Sequence, residues 1–131
     1  GIAAPKGKIL DGLSLLPLLS QSDTIEERSL FWHFPVYLQA YAGKADDSHD
    51  PLFRTRPGSA LRQGKWKFHE YFEEGRLELY DLEADPGERK NLVSLYPQKT
   101  TELHQLMKAW RSELQAPIPT ELNPKFKSAE N

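Results

Sequence analysis

The sequence predicts an α+β fold: a small antiparallel β-sheet of about four strands, covered on one face by a long C-terminal amphipathic helix. Two observations predict it. Between residues 59 and 82, runs of alternating polarity are separated by the tight-turn pairs Gln63-Gly64 and Glu74-Gly75, a spacing of about ten residues that reads as an antiparallel meander. Downstream, Leu103, Leu106, Met107, Trp110 and Leu114 fall on one face of a 3.6-residue helix whose other face is polar.

The elements follow in order. Residues 1–27 read as an extended lead-in, a turn at Asp11-Gly12 and a short helix in "SLLPLLSQ". Ser14 is placed to cap that helix, and Pro17 sits in its first turn, where a missing N–H costs little. Leucines on almost every side of it suggest burial. "RSLFWHF", residues 28–34, reads as a strand with Leu30, Trp32 and Phe34 on one face and Phe31 and His33 on the other. Residues 35–57 form a long polar loop around "GKADDSHD", and loops of that length in a small domain are commonly functional or disordered. The sheet as a whole spans 28–82, with Trp66, Phe68 and Glu70 sharing a face of the second meander strand. At Asp85-Pro86-Gly87 the chain turns, with Asp first and Pro second. Asn91 then caps a short helix in "LVSLY", and Pro97 opens the long one, so that 91–115 is helical. Residues 116–131 are a proline-rich tail. Both Trp66 and Trp110 are expected to be largely buried.

Composition narrows the function. With 131 residues the chain makes one domain, and its ten prolines and mean hydropathy of −0.65 make that domain loop-rich. A net charge of −2 provides no basic field for nucleic acid, and no apolar run approaches the roughly 20 residues of a membrane span. The absence of cysteine excludes disulfides, thiolate metal sites and a cysteine nucleophile within these residues. The chain begins with Gly, has its only Met at position 107 and carries no signal-peptide pattern, which suggests a piece of a longer polypeptide. His33, His49, His69 and His104 lack metal-site spacing. His104 and His69 read as surface residues, and Glu26-Glu27 and Glu73-Glu74 as solvated turn residues. His49, among Asp46, Asp47 and Asp50, lacks the glycine and distal Glu of a calcium loop. His33 stands at a strand end beside a long loop, where sites are commonly built; the bland alternative is a histidine packed between aromatics.

Four segments, "DGLSLLPLL" (11–19), "RSLFWHFP" (28–35), "SALRQGKWKF" (59–68) and "ELYDLEADPGERKNL" (78–92), followed by a helix with a tryptophan and a proline-rich tail, occur in an order that resembles the C-terminal subdomain of sulfatases, in the alkaline-phosphatase-like superfamily. "GIAAP" is similar to that family's connection out of the catalytic domain. The resemblance implies a parent that hydrolyses sulfate esters of sugars or aryl alcohols, with a formylglycine nucleophile made from Cys or Ser in C/S-x-P-x-R and a calcium ion held by Asp and Asn. Metal and cations would neutralise charge developing on the sulfuryl oxygens. The chain has no cysteine and no Ser followed by x-Pro-x-Arg, so no catalytic residue, cofactor or metal ligand is carried over to it.

What the resemblance leaves for this region is support of an N-terminal catalytic domain of the same polypeptide, and one wall of the cleft for a sulfated small molecule or sugar. His33 and Tyr37 are the first candidates for substrate contact. Arg54 and Arg56 come second, because arginine binds sulfate or carboxylate bidentately. The isolated chain is expected to be inactive and to self-associate through exposed apolar surface, and the parent to be periplasmic or secreted. Two other readings stay open: part of a related phosphodiesterase or phosphonate hydrolase, and a free-standing interaction or carbohydrate-binding module.

Overall fold

The computed structural model describes residues 7, 12–22, 24–39 and 53–125. A four-residue helix, α1 (Leu16–Leu19), precedes the strands β1 (Leu30–Phe34), β2 (Leu38–Gln39), β3 (Phe53–Thr55), β4 (Gly58–Gln63), β5 (Trp66–Tyr71) and β6 (Arg76–Asp81), and the long helix α2 (Pro97–Glu113) follows. Four strands form one antiparallel sheet in the order β1-β4-β5-β6, and β2 pairs with β3 separately. The α+β architecture expected from the sequence is therefore the one observed. The β2–β3 pair was not anticipated: it closes the two ends of the segment read as a loop. The centre of that loop, with His49 and its neighbouring aspartates, lies outside the described residues, as do most of the lead-in and the last six residues.

The register explains the core. Phe31 pairs with Leu61, Leu61 with Phe68, and Phe68 with Leu79, so one row of apolar side chains crosses all four strands on a single face. Helix α2 lies over β4 and β5 and sets Leu103 and Met107 on that row. Leu61, Phe68, Leu79, Leu103 and Met107 are all fully buried. Gly64 makes the β4–β5 hairpin possible: its φ of 56° suits a residue without Cβ, and a Cβ there would lie 2.6 Å from a Glu27 carboxylate oxygen.

The buried stripe of α2 is Thr100, Leu103, Met107 and Arg111, and Leu114 is exposed. The apolar stripe read from sequence is thus rotated at its C-terminal end, because Arg111 turns inward to meet Glu70 on β5. Trp110 is half-buried rather than enclosed. It sits beyond β4 and stacks on Phe31 of the edge strand, with ring centroids 4.7 Å apart and planes within 7°. Trp66 is also half-buried and packs against Tyr96 at 5.1 Å. On β1 it is Phe31 and His33 that face the helix, while Trp32 and Phe34 are 51% and 42% exposed on the opposite face. The α1 leucines are exposed as well, so within this chain nothing among the described residues buries them.

Residues 82–96 join β6 to α2. Asp85 accepts the backbone N–H groups of Arg89 and Lys90 on one carboxylate oxygen, at 2.7 and 2.8 Å, and its carbonyl accepts Glu88 N–H at 3.1 Å. This holds Glu88 at a φ of 54°. Asn91 does not start a helix; residues 92–96 make a single turn. The Asn91 side-chain oxygen accepts from both Leu79 N–H and Val93 N–H at 3.1 Å, and its amide donates to the Leu77 carbonyl at 3.1 Å. Leu92 N–H donates to the Leu79 carbonyl at 2.8 Å. One side chain thereby pairs the open edge of β6, whose backbone groups would otherwise be an aggregation template. Asn91→Ala leaves the amide of the fully buried Leu79 unpaired, and is expected to lower stability by about 1–3 kcal/mol in a urea titration, with Asn91→Asp recovering part of the loss.

Candidate functional site

The end of the sheet where β1 and β5 finish and β4 and β6 begin gathers the polar groups that the core excludes. The register places Phe34, Gly58, Tyr71 and Arg76 side by side there. The turn after β5, Phe72 to Gly75, caps this end, and its two carboxylates organise it. Glu74 accepts both contacts of Arg56 Nη1, at 3.0 and 3.1 Å, and Arg76 Nε at 2.6 Å. Glu73 accepts the Tyr37 hydroxyl and the backbone N–H of Asn123, the latter at 3.0 Å. The pair read as solvated turn residues is therefore partly buried, because side chains distant in sequence converge on it.

Each residue singled out from the sequence can now be placed. Tyr37 packs its ring on Phe53 at 4.5 Å and donates a hydrogen bond from its hydroxyl to Glu73; burial, then the Glu73 carboxylate, push its hydroxyl well above the usual tyrosine range. Arg56 is buried, with its guanidinium on Glu74. Arg54 is exposed on β3, two residues before Arg56. His33 belongs to a neighbouring cluster: Nδ1 is 2.9 Å from Ser59 Oγ, Nε2 is 2.8 Å from the Pro117 carbonyl oxygen, and the ring lies 5.8 Å from Phe72. Arg111, which sequence reasoning missed, lies over the other part of that phenyl ring at 5.2 Å and ties this cluster to Glu70. His104 is not a solvated residue, since its ring rests on Phe68 and Nε2 is 3.2 Å from a Glu70 oxygen.

On the face of the sheet away from α2, Trp32, Ala60, Arg62, Lys67, His69 and Leu82 line a cavity of about 370 Å³. Burial and the Lys67 ammonium beside it hold the His69 imidazole below its ordinary range, against the opposing pull of Glu88. Desolvation pushes the Tyr71 hydroxyl up to about 12. Among the described residues no three of His, Asp or Glu converge to hold a metal ion, and the chain contains no cysteine. These residues do not fit the calcium or the formylglycine of the sulfatase reaction.

No family model matches the chain. A sulfatase of Formosa agariphila is 26% identical over 128 residues, 88% of this chain and 21% of that protein. Mouse Arylsulfatase K is 31% identical over 111 residues, 83% of this chain and 18% of its own length. The chain is a sulfatase relative. A solved structure of a 2-O GAG sulfatase superposes with a TM-score of 0.61 at 26% identity, covering 95% of this chain and 25% of that one. This sulfatase relative thus spans about a fifth of the length of the curated proteins it matches, which fits a C-terminal part of a larger sulfatase. Among the described residues no helix is long and apolar enough to cross a membrane.

Proposed function

We propose that the chain is the C-terminal part of a periplasmic or secreted enzyme that hydrolyses sulfate esters of sugars, and that it supports the catalytic part and walls one side of its cleft. The single observation that carries this is the match of nearly the whole chain, in sequence and in fold, to about a fifth to a quarter of several sulfatases, one of them named for a 2-O sulfate of GAG. The reactive groups, a calcium ion and a formylglycine, belong to the remainder of the polypeptide, and no step of their chemistry passes through the residues described above.

Within that reading the sheet end is the wall. Arg56, Tyr37 and His33 have their polar atoms on protein partners, so they make the wall rigid rather than adaptable. Arg54, exposed on the strand beside them, is the residue we assign to an anionic group of the sugar.

Steady-state sulfate release by the parent polypeptide tests this. Arg54→Ala is expected to raise KM for a 2-O-sulfated uronate disaccharide by about tenfold, the loss of one charge-assisted contact, and to leave KM for a small aryl sulfate with no second anionic group unchanged. An unchanged KM for the disaccharide would remove Arg54 from the cleft, and an equal rise for both substrates would place it on the sulfate they share instead of on a second anionic group. Hydrolysis of a phosphonate or phosphodiester, without sulfate release, would overturn the reading as a whole.

A further inference from the structure

One run of polar contacts joins α2, β4, β1 and the segment that follows the helix. Arg111 is 5% exposed; its Nη2 lies 2.6 Å from Glu70 Oε2 and its Nη1 donates to Ser59 Oγ at 3.3 Å. A guanidinium can only donate, so the Ser59 oxygen accepts there and keeps its own proton to give. Nδ1 of His33 is 2.9 Å from that oxygen, and Nε2 is 2.8 Å from the Pro117 carbonyl, which can only accept. The ring proton is therefore on Nε2, and Nδ1 accepts from Ser59.

The other end of the run is the C-terminal segment itself. Helix α2 ends with Gln115 at a φ of 50°, with Gln115 N–H on the Ser112 carbonyl at 3.2 Å and Ala116 N–H on the Arg111 carbonyl at 2.9 Å, the two bonds of a left-handed helix cap. That cap turns the chain toward β1, where His33 holds Pro117. Asn123 then reaches the β5–β6 turn, where its N–H meets the Glu73 carboxylate that also accepts the Tyr37 hydroxyl. Between these two points Ile118 and Leu122 are 45% and 70% exposed, so apolar packing does not hold the segment down.

We propose that Arg111 is a positioning residue which, through Ser59 and His33, seats residues 116–123 as a strap across the end of the sheet and so fixes the Glu73 carboxylate and the Tyr37 hydroxyl. The consequence for substrate rests on the cleft-wall reading; the seating of the strap does not. Glu70 supplies the counter-charge that keeps Arg111 in place, and the helix thereby sets the position of side chains it does not touch.

Imidazole ¹⁵N spectra and amide hydrogen exchange on the 131-residue chain test this without substrate, with the amides of β4 and β5 reporting that each variant is folded. The expected ring form of His33 is Nε2–H. The Asn123 amide is expected to exchange about tenfold or more faster in His33→Ala and Ser59→Ala than in the wild type. His33→Gln, whose amide nitrogen replaces Nε2 as donor to Pro117, is expected to keep the protection. Arg111→Lys, which keeps a cation beside Glu70 but loses the planar fork, is expected to lose it. An Nδ1–H ring in the wild type, or equal Asn123 exchange in wild type and His33→Ala, overturns the proposal. Because no substrate is present, that failure would leave the cleft-wall reading standing.

Discussion

Phe68→Ala is expected to lower the stability of the chain by about 3–5 kcal/mol, the range for removing a fully buried phenylalanine. Phe68 sits at the middle of the apolar row that crosses the sheet, between Leu61 and Leu79, with Leu103 and Met107 of α2 packed in the same cluster. The cavity cannot close by a small shift, because its walls are strands fixed by register on both sides. With five fully buried side chains in this cluster among the described residues, such a loss takes a large share of a total that is commonly about 5–15 kcal/mol. Urea denaturation followed by tryptophan fluorescence measures it. Phe68→Leu, which keeps most of the volume, should cost far less. A loss below about 1 kcal/mol for the alanine variant would mean that the sheet and helix do not share this core.

Glu70→Ala is expected to be nearly as damaging, by about 3–5 kcal/mol, for an electrostatic reason. Glu70 lies on the helix-facing side of β5, and its two oxygens meet His104 and Arg111. Its removal leaves the Arg111 guanidinium buried without a counter-charge. Replacing both members with apolar residues removes the charge that needs compensation, so Glu70→Leu with Arg111→Met should be markedly more stable than Glu70→Ala alone. Equal stabilities of the single and double variants would show that Arg111 finds water or another carboxylate when Glu70 is gone.

The parts of the fold legible in the sequence are those specified locally. The period of two in 59–82 and the glycines at its turns place β4, β5 and β6 almost to the residue, because alternation and a positive φ act within a few positions. The helical period does the same for α2. What escaped is what distant residues decide. Asn91 has the residue type of a helix cap, and its oxygen does accept Val93 N–H, but the Leu79 and Leu77 backbone groups claim the rest of the side chain. Glu73, Glu74 and His104 read as solvated because their partners lie far along the chain; Tyr37 is 36 residues from Glu73 and Asn123 is 50. Arg111 sits at helical spacing from Met107 and Leu103, which is the signal that could have marked it as inward-facing. The β2–β3 pair is too short to leave an alternating pattern.

The exposed apolar residues have a common explanation if the chain is one part of a larger protein. Leu15, Leu16, Leu18 and Leu19 of the α1 region, and Trp32 and Phe34 on the far face of the sheet, carry the apolar character of a core without being inside one. Contiguous apolar surface beyond a few hundred Å² usually marks an interaction site. The most direct measurement is sedimentation of the 131-residue chain, alone with a hydrophobic dye and mixed with the separately produced remainder of its parent polypeptide. Dye binding or self-association of the chain alone is expected, and a one-to-one complex with the remainder in which both disappear. A strict monomer at high concentration that binds no dye and forms no complex would contradict it, and would favour a free-standing module.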